Sequence, residues 1–69
     1  MALGQYVMHL IPKEGGIGGR RKETKNLDPK DNLQMQQALN QMLPKGQSAS
    51  KYKIQARTKN GSVVSEWHG

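Results

Sequence analysis

The chain is 69 residues long and contains no cysteine, so it has room for one small domain, and disulfides, thiolate metal sites and thiol nucleophiles play no part in its chemistry. Eleven Lys or Arg against five Asp or Glu give a net charge of +6, a density that favours polyanionic partners. A chain this short rarely builds the concave pocket that catalysis needs, so the expectation is a protein that is not an enzyme.

Leu, Ile and Val together number twelve and Phe is missing, which is low for a folded chain. These residues nonetheless gather in three periodic blocks, which predicts a folded but marginal unit, with a homodimer that shares core as an open alternative. The apolar stretch from Ala2 to Ile11 is too short to span a bilayer and lacks a basic leader; no membrane segment is expected, and a cytoplasmic location follows as the expectation.

In chain order, the first block is Gln5–Ile11, bounded by Gly4 and Pro12. Its β-branched and aromatic content predicts a strand. Tyr6, Met8 and Leu10 face one way and Val7, His9 and Ile11 the other. Both sets are largely apolar, so this strand is not a free edge: it is covered on both faces or lies in a homodimer interface.

Residues 12–27 differ in character. Four glycines in five positions are followed by Arg20-Arg21-Lys22 and Lys25, with only Ile17 and Leu27 to bury. The high ordering entropy of glycine and the scarcity of apolar residues predict a mobile, basic loop. It matches no phosphate-cradling motif. Arg20, Arg21, Lys22 and Lys25 are candidates for contacting a nucleic-acid backbone, since mobile cations release counterions with little preorganisation; the plain alternative is a solvated linker.

A helix is predicted from Pro29 to Leu43, with Asp28 as N-cap, Pro29 at the first position, Asp31 completing a capping pair, and Leu27 stapling the first turn. Met35, Ala38, Leu39 and Met42 form its apolar stripe. Pro44 and Gly46 end it.

The last block is a hairpin. Lys51–Lys59 and Ser62–Trp67 flank Asn60-Gly61, a pair suited to a two-residue type I′ turn. That turn pairs Thr58 with Val63, Ala56 with Ser65 and Ile54 with Trp67, and sets Glu66 opposite Gln55; a three-residue loop with a bulge shifts the register. Tyr52, Ile54, Ala56, Val63 and Trp67 then face the helix, while Lys51, Lys53, Gln55, Arg57 and Lys59 line the opposite face.

The resulting fold class is α+β: a small β-loop-α-β-β unit spanning residues 1–69, with a three-stranded antiparallel sheet, its third strand in the middle, and one helix packed on one face. The alternate cations Lys51, Lys53, Arg57 and Lys59 stand at spacings comparable to phosphates along a single strand. Gln55 and Arg57 are the candidate base readers in a duplex groove. Because Tyr52 and Trp67 fall on the core side, the basic face lacks the aromatics that stack bases. His9 and His68 have no partners at ligand spacing, so neither a metal nor any other cofactor is expected.

The favoured function is non-enzymatic binding of DNA or RNA through the phosphate backbone. The rival is a small inhibitor or adaptor of accessory type that docks on an acidic protein surface of a larger complex, through the edge of the first strand or the hairpin face.

Overall fold

The computed structural model describes residues 3–15 and 19–69. The centre of the glycine-rich stretch, Gly16, Ile17 and Gly18, on which the mobile loop was expected, lies outside the described residues. The α+β class holds, with one helix, but the sheet has four strands and not three. The elements are β1 (Gly4–Pro12), β2 (Arg20–Leu27), α1 (Asn32–Met42), a 3-10 turn (Ala49–Lys51), β3 (Tyr52–Arg57) and β4 (Val63–His68). Neighbours run antiparallel in the order β2-β1-β3-β4.

The additional strand is β2, made from the basic half of the expected loop. It carries no alternation of apolar and polar residues because it lies at the edge of the sheet, where nearly every side chain is exposed and only Leu27 is buried. What holds it is the backbone ladder to β1, from Tyr6–Thr24 to Leu10–Arg20, an interaction available to any non-proline residue and therefore silent in side-chain patterning. A bulge between the Gly4 and Tyr6 rungs coincides with Asn26 at φ 57°, a left-handed conformation that asparagine tolerates. It turns Leu27 into the core.

β1 is indeed not a free edge, for it pairs with β2 on one side and β3 on the other. Both its edges are therefore filled within one chain, which removes the expected strand addition or homodimer contact through an edge of the first strand. The middle position expected for the last strand falls instead to β3, whose Ile54 and Ala56 are fully buried, while β4 is an edge. Since β2 and β3 both run antiparallel to β1, they are parallel to each other, and α1 carries the chain across β1 between them.

α1 sets Met35, Leu39 and Met42 on the sheet. They meet Met8, Leu10, Tyr52, Ile54 and Ala56 in the core, with Tyr6 and Trp67 packed at its margin. The helix begins later than the sequence implies. Asp31 is the N-cap, its carboxylate accepting from the amides of Leu33 (2.9 Å) and Gln34 (3.5 Å), whereas Asp28 organises the preceding turn by accepting from the Lys30 amide at 3.0 Å. Pro29 is buried in that turn.

The hairpin register is as expected from Lys53–His68 to Ala56–Ser65, including Ile54–Trp67. The turn itself differs. The Gly61 amide donates to Thr58 O and the Thr58 amide to Ser62 O, both at 2.9 Å. Gly61 has φ 93°, and among the described residues Asn26 is the only non-glycine with positive φ. This is a three-residue loop with glycine in the left-handed position, not a type I′ turn. It moves Val63 opposite Arg57, and a bulge before Ser65 restores the register. Val63 consequently sits on the outer face, 51% exposed, and does not join the core.

Two substitutions check this architecture by denaturant unfolding. Leu39→Ala, at a fully buried position, is expected to cost about 2–5 kcal/mol. Asp31→Ala removes the helix cap and is expected to cost about 1 kcal/mol, whereas Asp28→Ala acts only on the turn before it.

Candidate nucleic-acid interface

The helix covers one face of the sheet. Residues opposite one another share a face, so the register defines the other, outer face in three rungs: Glu23, Val7, Arg57 and Val63; Arg21, His9, Gln55 and Glu66; then Ile11, Lys53 and His68. All three described aromatic residues lie towards the helix side: Tyr52 is buried, and Tyr6 and Trp67 pack against the core.

Of the expected cationic row, the sheet brings together Lys53 and Arg57 on its outer face. Lys51 belongs to the 3-10 turn and Lys59 to the hairpin loop, because β3 is shorter at both ends than the apolar alternation suggested. Lys53 and Arg57 are four steps apart along the strand, about 13 Å, so β3 alone does not match successive phosphates.

Gln55, expected to read bases, is 9% exposed and its amide is used internally. Its Oε1 accepts from Arg57 Nε (3.0 Å) and Nη2 (2.5 Å), while its Nε2 donates to Glu66 Oε2 at 2.6 Å. Glu66 also contacts His68 Nε2 at 2.7 Å and Lys53 Nζ at 3.7 Å. Thus Gln55 is a structural strut, and Lys53 is engaged by an acid. The hydrogen bonds from Gln55 and His68, aided by the charges of Lys53 and His68 and opposed by partial burial, lower the Glu66 pKa to about 2.

β2 supplies what β3 lacks. Its ladder orders Arg20, Arg21, Lys22 and Lys25 along one exposed edge. Arg21 points to the outer face, and the register sets Arg20 and Lys22 on the helix side. There α1 and β2 flank a groove of about 190 Å³ lined by Lys22, Thr24, Gln34, Gln37 and Gln41 above Leu27 and Met42. The two sheet edges differ: at β4, Lys30 Nζ donates to the Val64 carbonyl at 3.3 Å, covering part of that edge.

Sequence reasoning gave His9 no role beyond a strand interface. It stands at the middle of the outer face beside Arg21, half-buried. Its pKa is lowered from 6.5 by partial burial and by the charges of Arg57 and Arg21. Among the described residues no group of three or more His, Asp or Glu is placed to hold a metal, and no helix is long and apolar enough to cross a membrane.

No family model, curated protein or solved structure matches the chain.

The Glu66 network has a pH signature. A carboxylate whose folded pKa is depressed contributes stability that is complete above its unfolded pKa, near 4.5, and is lost as pH falls towards about 2. Acid unfolding of the wild type should therefore steepen across that window. Glu66→Gln should flatten it, read by the denaturant midpoint at pH 6 and pH 3.

Proposed function

We propose that the protein is a non-enzymatic nucleic-acid-binding protein that grips the phosphate backbone. The observation that carries this reading is the ordering of Arg20, Arg21, Lys22 and Lys25 on an edge strand that adjoins, across β1, the outer-face cations Lys53 and Arg57. Successive residues of a strand alternate sides, so the basic run splits around the sheet edge: Arg21 joins the outer face and Lys22 the groove beneath α1. A polyanion lying along β2 meets cations from both sides. With the aromatics turned inward and Gln55 consumed by Arg57 and Glu66, the surface favours contact with phosphate over stacking or base readout.

A second reading has one observation in its favour. Among the described residues the outer edge of β2 has no strand beside it, and an acidic extended segment of another protein could add there, its carboxylates meeting the same cations. This is the inhibitor or adaptor alternative, moved from β1, which has no free edge, to β2.

Binding to random-sequence duplex and to single strands, measured against salt, separates the two. The nucleic-acid reading expects a log–log slope of magnitude about 3–5, and no binding at 50 mM salt rejects it. Replacing Arg20, Arg21 and Lys22 together by Gln should lower the slope by about 2–3. The pair Lys53→Gln with Arg57→Gln should lower it further, and an unchanged slope would confine the contact to β2.

A further inference from the structure

We propose that His9, Arg21 and Arg57 together form a binding site for a phosphate-type oxyanion on the outer face of the sheet. The three residues come from three adjacent strands. His9 stands directly opposite Arg21, and Arg57 lies one rung along β3, opposite Val7. Neighbouring positions on one face place side chains about 5–8 Å apart, so each arginine adjoins His9, and the bonds of Arg57 to Gln55 Oε1 draw its guanidinium along β3 toward the position opposite His9.

The rest of the outer face leaves this corner open. Gln55, Glu66, Lys53 and His68 form one network at the β4 side, and none of its bonds involves His9 or Arg21. Arg57 commits Nε and Nη2 to Gln55, which holds the guanidinium in place and leaves its second terminal nitrogen free of that contact. Beside His9 and Arg21, on the side away from Arg57, the surface falls into a depression of about 310 Å³ that runs toward Ile11, Gly19 and Arg20, so a hydrated anion can approach the His9–Arg21 pair.

Electrostatics agrees with the geometry. Both arginines act through space on the His9 ring and, after partial burial, they are what lowers its pKa. The charged or titratable groups that face His9 are Arg21 and Glu23 on β2, Lys53 and Arg57 on β3, and Glu66 and His68 on β4. α1 packs on the opposite face. Glu66 is matched by its own partners, Lys53 among them, so Glu23 is the one acid left set against Arg21 and Arg57.

A bound oxyanion reverses the sign of the field at the ring. It favours the imidazolium and raises the His9 pKa, so that binding takes up a proton and strengthens as pH falls through the His9 titration range. The site rests on the nucleic-acid reading only for its natural occupant, a phosphodiester group of the backbone.

The test uses the full wild-type chain. His9 ring resonances are titrated against pH by NMR in sodium chloride and in sodium sulfate at equal ionic strength, sulfate keeping a constant charge over the range. The expected result is a His9 midpoint higher by about half a pH unit in sulfate, and no such difference in Arg21→Gln, a change at an exposed edge position. An unchanged midpoint, or an equal response at His68, overturns the site. A parallel titration with a short oligothymidylate identifies the occupant. A sulfate response without oligonucleotide binding keeps the anion site and removes the nucleic-acid reading. Oligonucleotide binding without a sulfate response does the reverse.

Discussion

Backbone hydrogen bonding along both sides of β1 is the constraint on which the other features rest. This one strand fixes which residues of β2 and β3 share a face, since each rung of β1 assigns its partner on either side. Met8 aligns Ala56 beneath the helix, and His9 aligns Arg21 and Gln55 on the outer surface. A slip of one residue on either side would exchange the two sets and drive an arginine towards Leu39 and Met35. The burial of Ile54 and Ala56 on β3 and of Leu27 on β2 opposes such a slip, because the apolar side chains of each strand have one place to go. The core thereby determines the surface electrostatics.

The division of labour on that surface follows from a single carboxylate. Glu66 gathers Lys53, His68 and Gln55 at the β4 side, and Gln55 in turn anchors Arg57. A polar group held by several partners in a partly desolvated place is rigid and costly to disturb. The cations nearer β2 carry no such ties to this network. On the outer face Lys53 and Arg57 are thus tied into this network, while Arg21 stands outside it with Glu23 next to it along β2, although the sequence distributes lysine and arginine over both regions.

The elements that depend on side-chain pattern could be read from the sequence, and those that depend on backbone alone could not. Ile54, Ala56 and Tyr52 alternate with polar residues on β3, and Met35, Leu39 and Met42 recur at helical spacing, so the helix, the hairpin and the facing of its inner residues follow from periodicity. β2 has no period to find: Arg20 to Asn26 is polar throughout and joins the sheet through amides and carbonyls that every residue has. The helix start was misplaced because Asp28 and Asp31 both suit a cap, and the choice between them depends on the turn in which Pro29 is buried. The candidate site divides in the same way. Lys53, Arg57 and the Gln55–Glu66 pairing follow from alternation, but the position of Arg21 beside His9 depends on a strand pairing between segments with no common pattern. Lys51 and Lys59 continue the alternation of β3 yet lie outside it, because alternation does not mark where a strand ends.

The hairpin contains two departures from regular pairing that cancel. Its three-residue loop displaces one arm against the other by a single position, and the bulge before Ser65 displaces it back. The two irregularities act like a pair of compensating frameshifts in a gene: between them Val63 changes face and becomes the partner of Arg57, while beyond them Trp67 returns to its original phase. A loop one residue shorter or longer would keep Trp67 turned to the core only if the bulge changed with it, so loop length and bulge form one unit of geometry.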